Sequence, residues 1–598
     1  MSENCILSNP NKEKDTDVDR FRFTSLMFVF RSLEAHVKKL VYILSRFLIV
    51  VAAILLSACS KDENPAGSTL MAAATRTENV VNEAPLTIQL SGAMKQLEPI
   101  FKESGIPMYI EYRGDVELRL TIEALNRDSQ DQGTTFKSPV DVFGTAGDIW
   151  MPGSFVRNKT RLTNTYSILM VDPAFAESQG WDVGNALTVD DLDRAVGNGG
   201  LIGTTSASQD GTGALFMMAY LQEKKGSDDP LTLIDLQNNS ITEAAETLYE
   251  SVVENLSNVD LLVKRVVNQR LEGVSEANLL LLPENAALAL NTQLVENGKQ
   301  PMLAFYVDGL TSIQTLIIGC SSGISEAKAA KCSELATYLT SEEVQQKMLN
   351  LGYRAVPVGM KVEDPSAEEF FRAEWGFMPD REFVLAFPPK DAVVMAAQTV
   401  YQAILRGGSL TVMCLDHTGS MRDNGGIEQL RSAMQVILLQ DNDHAGRYLL
   451  QATPEDLLFL LPFSTFIQAE YGIEGSSEIA YREAYETLVR NHQPDGGTDI
   501  YGCAVRALDV VNNHQDGTRL AAIILLTDGE HTGGMSFRDL QNHYSQAGNG
   551  TPIYSVVLGY AVLDELRAIA DLTNGDVCDG RGGEEALARC FLEFRGNN

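Results

Sequence analysis

Five oxygen-bearing residues, Asp416, Thr418, Ser420, Thr498 and Asp528, are spaced so that they could share one cation. Asp416 follows an apolar run, residues 410–415, that reads as a buried strand. The Asp-x-Thr-x-Ser pattern alternates, so a loop leaving the strand can turn one carboxylate and two hydroxyls toward one point. Thr498 lies in a glycine-rich turn, residues 495–499, that feeds a helix. Asp528 sits just past the apolar run 520–526. All-oxygen donors suit a hard cation, and Mg²⁺ takes six while keeping exchangeable waters. Asp-x-Thr-x-Ser alone is also ordinary turn chemistry. Its weight comes from the two later segments, which fall where a doubly wound sheet displays ligands. His417 and Asp495 stand close by and read as loop residues.

The elements that must position this set begin after Gly407-Gly408-Ser409. Helical patterns cover 427–439, 478–490, 500–511, 562–572 and 584–594, and strand patterns cover 410–415, 456–463, 520–526, 553–558 and 576–578. This alternation predicts a Rossmann-like doubly wound sheet. The order Asp-x-Thr-x-Ser, Gly-Gly-Thr-Asp and Thr-Asp-Gly at strand ends makes residues 410–593 resemble a von Willebrand factor A (VWA) domain with its metal-ion-dependent adhesion site. Thr418 stands where Ser is the commoner residue. The resemblance implies the hydroxyls of Thr418, Ser420 and Thr498 near Mg²⁺ (or Mn²⁺ or Ca²⁺), with Asp416 and Asp528 binding directly or through water. It also implies a protein partner presenting an Asp or Glu to the metal.

The chain has 598 residues, too many for one core, so two or three domains are expected. With 44% hydrophobic and 21% charged residues it is globular in composition, and a net charge of −33 argues against a nucleic-acid partner. Near the N-terminus Arg31, Lys38, Lys39 and Arg46 precede an apolar core, residues 47–58, too short to span a bilayer. It ends Leu56-Ser57-Ala58-Cys59, which resembles a bacterial lipobox. That resemblance implies a lipidated Cys59, membrane attachment through the lipid and a place in the bacterial cell envelope. Residues 60–83 read as a polar tether. Six cysteines remain besides Cys5 and Cys59, an even number that permits disulfides in an exported chain. Sequence proximity suggests Cys320 with Cys332 and Cys578 with Cys590, whereas Cys414 and Cys503 read as small buried apolar residues.

From Leu86 short apolar strands alternate with helical segments: 86–90, 108–112, 140–145, 166–171, 201–206 and 302–307 read as strands of a parallel α/β sheet. Arg113-Gly114-Asp115 reads as a tight strand–helix turn. Residues 86–388 resemble the two-lobed periplasmic solute-binding proteins, by the order of Ser91-Gly92, Thr204-Thr205-Ser206, Gly211-Thr212-Gly213 and Tyr306-Val307-Asp308-Gly309, with residues 341–357 similar to the late helix and exit loop of that fold. The resemblance implies a small polar or anionic solute held between lobes at helix starts. The candidates are Ser91, Thr205, Ser206 and Thr212, residue types that also cap helices without any ligand.

The expected architecture is therefore α/β: a two-lobed periplasmic-binding-protein-like domain followed by a Rossmann-like doubly wound VWA domain. Its parts are a signal peptide with lipobox (1–58), a tether (59–84), a solute-binding-protein-like domain (85–389), a connecting helix (390–408) and the VWA domain (409–598). The combination resembles bacterial substrate-binding and VWA-domain lipoproteins. That implies a non-enzymatic, metal-dependent binding protein or, alternatively, the substrate-binding component of an ABC-type transport system in which the VWA domain is an assembly module. Gly319–Gly323 matches Gly-x-Ser-x-Gly, but no histidine lies between His36 and His417 to serve Ser321 as a base. No enzyme is expected.

Overall fold

In the computed structural model the described residues are 84–355, 371–378, 391–423, 425–440, 450–516, 519–528, 530–548, 550–559 and 563–595. The expected signal peptide, lipobox Cys59 and tether lie outside them, apart from Ala84. Among the described residues no helix is long and apolar enough to cross a membrane.

The first sheet has ten strands: β1 (Leu86–Ser91), β2 (Met108–Arg113), β3 (Val142–Thr145), β4 (Val156–Val171), β5 (Ile202–Thr205), β6 (Val252–Leu256), β7 (Leu279–Pro283), β8 (Leu303–Phe305), β9 (Ile313–Ser321) and β10 (Arg354–Ala355). Their order is β2-β1-β3-β9-β4-β7-β5-β6, with β8 and β10 both paired to β4. One lobe is built on the parallel trio β2-β1-β3, the other on the parallel trio β7-β5-β6. Between them β9 runs antiparallel to the first part of β4, Val156 to Tyr166, while the rest of β4 pairs with β7 and β8, so β4 joins the lobes. The expected all-parallel sheet is thus a mixed one. The polar stretch 157–164 hides the first half of β4 from a hydropathy reading, because that half pairs without a continuous apolar face. Gly319 and Ser321 of the Gly-x-Ser-x-Gly match lie inside β9 rather than in a turn.

The second sheet contains β11 (Gly408–Asp416), β12 (Leu457–Phe463), β13 (Tyr471–Glu474), β14 (Arg519–Thr527), β15 (Ile553–Val557) and β16 (Val577–Asp579), in the order β13-β12-β11-β14-β15-β16. All neighbours are parallel except β13 on β12. Every residue of β11 is buried. Its alternate side chains enter two cores, Leu410, Val412 and Cys414 on one face and Met413 and Leu415 on the other. That is the signature of a central strand covered by helices on both sides. The edge strand β13 and the helix Phe537–Ala547 were not expected. The helix carries its own start signal, a capping box between Ser536 and Asp539.

The expected connecting segment is a helix, Asp391–Val400, that packs on the second lobe. Val393, Val394, Ala397, Tyr401 and Leu405 pack in the core of the second lobe, and the Tyr401 hydroxyl accepts from Asn255 Nδ2 at 2.9 Å. Arg406 then forms a buried ion pair with Asp456 at 2.6 Å, and the backbone N–H and hydroxyl of Ser409 donate to the same carboxylate. This pinned corner fixes where β11 begins. Disulfides join Cys320 to Cys332 and Cys578 to Cys590. A third joins Cys414 to Cys503, which were expected to be free. Cys414 on β11 faces Cys503 on the covering helix Ile500–His514 with Cα atoms 6.1 Å apart, so packing brings together two residues 89 positions apart. The described residues all belong to one compact unit, Glu83–Asn598.

Candidate functional sites

In the second sheet the chain leaves β11 for β12 on one side and later returns to β14 on the other. The carboxyl end of β11 is therefore a topological switch point, where adjacent loops part and leave a crevice. Asp416 ends β11 and is fully buried. Its Oδ1 accepts from the Thr418 N–H at 2.9 Å and its Oδ2 from the Thr527 hydroxyl at 2.5 Å. The Thr418 and Ser420 hydroxyls are 2.9 Å apart, and Ser420 donates to Asp528 Oδ1 at 2.9 Å. Asp416, Thr418, Ser420 and Asp528 thus form one chain of oxygens.

Thr498 stands on the adjoining loop. Its N–H donates to the Thr532 hydroxyl at 2.7 Å, and the Gly419 N–H bonds Gly496 O at 3.1 Å, tying the two loops together. The Thr498 hydroxyl makes no hydrogen bond to the other four residues. Gly426 and Gly559 lie against Asp528: a Cβ at Gly426 would fall 3.0 Å from the carboxylate, and one at Gly559 2.7 Å from the Asp528 Cβ. Both positions need the missing side chain. Sequence reasoning overlooked Thr527 and Thr532 as supports, although Thr527 precedes Asp528 in the motif itself.

Burial pushes the Asp416 carboxyl up to about 6, against the pull of its hydrogen bonds from Thr527 and Thr418, and Asp528 adds like-charge repulsion. Among the described residues no cluster of three or more His, Cys, Asp or Glu could hold a metal. Any cation here would therefore rely on hydroxyls beside two carboxylates. That donor set fits Mg²⁺, and the charge of such an ion would relieve the carboxylate repulsion. His417 is not part of it. Burial holds its imidazole down at about 3, and its ring packs edge-on to His492 with centroids 4.2 Å apart.

The second candidate lies between the lobes. A cavity of about 140 Å³ is bounded by Arg113 and Glu117 from the first lobe, Gln209 and Asp260 from the second, and Arg589 and Glu593 from the helix Glu584–Arg595 of the C-terminal half. The four predicted solute residues stand behind this wall rather than on it. Ser91 donates to Asp115 Oδ2 at 2.9 Å, Thr205 to Asp210 Oδ1 at 3.0 Å, and Thr212 accepts from Gln314 Nε2 at 3.0 Å. Ser206 lies 3.0 Å from the Ser208 hydroxyl. N–H groups at a helix start are engaged as well: that of Gly211 donates to Asp115 and that of Thr212 to Asp210, while Asp115 also accepts from Ala146 N–H. Burial pushes the Asp115 carboxyl up to about 7 and raises that of Asp210. Two internal carboxylates therefore engage these hydroxyls and N–H groups. Asp115 is visible in sequence as the last residue of Arg-Gly-Asp, but nothing local announces its partners.

No protein-family model matches this chain, and no curated protein matches it in sequence. Solved structures similar to it include iron-bound HitA from Pseudomonas aeruginosa, at 16% identity and a TM-score of 0.35, over 53% of this chain and 99% of that one. Another is apo ferric ion-binding protein A from Pasteurella haemolytica, at 13% identity and a TM-score of 0.37, over 53% and 96% of the two chains. A periplasmic thiamin binding protein is similar at 13% identity and a TM-score of 0.37, over 55% and 99%. At these values the likeness carries no argument about what this chain binds.

Proposed function

We propose that this chain is a non-enzymatic binding protein whose two-lobed half holds a small polar solute, as the substrate-binding component of a transport system. The observation that carries this reading is the cavity between two lobes joined by β4 and β9, walled by polar residues of both. Two strands of continuous backbone let the lobes close on a solute without breaking a core. The test is native mass spectrometry of the full chain, with the released small molecules identified after denaturation. The expected result is one co-purifying solute per chain that restores thermal stability when added back. A chain that carries nothing, and that no small solute stabilises, would sink the reading.

A second reading concerns the C-terminal half, and the chain of oxygens from Asp416 to Asp528 favours it. These residues would hold Mg²⁺ in the manner of a VWA adhesion site. A bound Mg²⁺ supplies a charged position with exchangeable water to which a partner's Asp or Glu could bind. The two halves would then serve one protein, one binding solute and the other an assembly partner.

A further inference from the structure

The interlobe cavity is closed by a helix that belongs to neither lobe. Arg589 and Glu593, one turn apart on Glu584–Arg595, both face it. The cationic groups on the wall already have carboxylate partners. Lys95 lies 3.6 Å from Asp260, and Arg113 bonds Glu111 at 3.1 Å and Glu117 at 2.7 Å. Arg589 reaches across to the same Glu111.

Glu593 is different. Its carboxyl makes no hydrogen bond to any described residue, while burial and the Asp576 carboxylate push it up to about 7. It is half-buried and lines the cavity. A second polar group lines the cavity: Gln209 is only 7% exposed, and its side-chain amide bonds no described residue. A carboxylate and an amide that line one small cavity offer a charged acceptor and a polar partner to whatever enters it. The anion-binding N–H groups behind the wall are already engaged by Asp115 and Asp210.

Resting on the solute-binding reading, we propose that this cavity is a composite site for a small cationic solute, an ammonium or guanidinium compound, with Glu593 as its counter-ion and Gln209 as a hydrogen-bond partner. A cavity near 150 Å³ holds a six-membered ring of carbons, so the cavity of about 140 Å³ takes roughly six heavy atoms. A net charge of −33 also concentrates cations near the surface. Because the counter-ion comes from the C-terminal half, solute binding depends on how that half is seated.

The test is isothermal titration of the full chain with 1,4-diaminobutane, succinate and erythritol, which are similar in size and differ in charge. The diamine is expected to bind at one site per chain and the other two not at all. Glu593→Gln should weaken diamine binding tenfold or more, since it keeps the shape of the side chain and removes its charge. Glu593→Asp should keep part of the affinity. Binding of succinate or erythritol with the diamine silent would overturn the cationic assignment and leave the solute-binding reading standing. Equal diamine affinity in folded Glu593→Gln would overturn Glu593 as the counter-ion. If none of the three binds, the proposal fails. A co-purifying solute found by mass spectrometry would then show that the cleft reading survives without it.

Discussion

Asp416 meets two opposed demands. It must stay buried to end a central strand, and its charge must be balanced where water is scarce. Two hydrogen bonds and the neighbouring Ser420–Asp528 contact meet this in part. If a cation completes the balance, Mg²⁺ should raise the melting temperature of the chain and EDTA should reverse the rise. A ligand at about 100 times its Kd adds about 2.7 kcal/mol of stability. Asp416→Ala should abolish the Mg²⁺-dependent rise. Ser420→Ala, which leaves β11 untouched, should weaken it. A full rise in both variants, measured by calorimetry, would refute the metal site. The chemistry of this set was legible in sequence because its residues fall at strand ends that hydropathy marks plainly. The contrast with Ser91, Thr205 and Thr212 is physical. Those residues have the same chemistry, yet buried carboxylates take them up: the helix cap Asp210 bonds Thr205 and Thr212, and Asp115, 24 positions away, takes the Ser91 hydroxyl.

At the scale of elements, Asp115 opens the helix Asp115–Gln132 and also binds the turn before the helix Gly211–Lys225 through the Gly211 N–H at 3.1 Å. One carboxylate thus ties two helix starts, one from each lobe. Its folded pKa, about 7, lies above the ordinary carboxylate value because of burial and the nearby Asp210. The sign follows: the folded state binds this proton more tightly, so the contribution is present in full below about pH 4 and is lost as pH rises through about 7. Asp115→Asn should remove that dependence. Between pH 5 and 7 its stability should fall less steeply than that of the parent, by up to about 1.4 kcal/mol per pH unit. Urea unfolding at pH 5, 6 and 7 measures this, and parallel profiles would contradict the assignment. Most elements were readable from periodicity. The first half of β4 was not, since residues 157–164 are polar and its partners β9 and β10 lie far along the chain. The helix 537–547 was readable in principle from Ser536 and Asp539.

At the scale of the whole molecule, the two halves meet through named polar contacts. Arg265, in the helix Val259–Glu272, pairs with Glu254 at 3.0 Å and donates to the Tyr554 hydroxyl on β15 at 3.1 Å, while Asn268 donates to Asn574 at 2.8 Å. Arg265→Ala would leave the buried Glu254 without its ion-pair partner and with only the Gln269 amide, at a cost of up to about 3–5 kcal/mol. It would also loosen the junction, so calorimetry should resolve two transitions where the parent shows one. A single unshifted transition would count against a rigid junction. Three disulfides within Glu83–Asn598 agree with the export expected from the N-terminal sequence, since such bonds persist in oxidising compartments.

By itself the sequence determined the alternation of strands and helices, the place of the β11 loop and the oxygen chemistry gathered there. These depend on local periodicity and on residues at strand ends, which a chain displays wherever it is read. Only the tertiary structure decided what covers each face. It took the expected linker into the second lobe's core and paired Cys414 with Cys503. It also set Arg589 beside Glu111, 478 positions away. Periodicity says that a face will be buried but not by which partner, because burial is satisfied by any apolar surface of matching shape. The wall of the interlobe cavity is set by the same kind of contact: Glu593 lines it because one helix from the far end of the chain closes the space between the lobes.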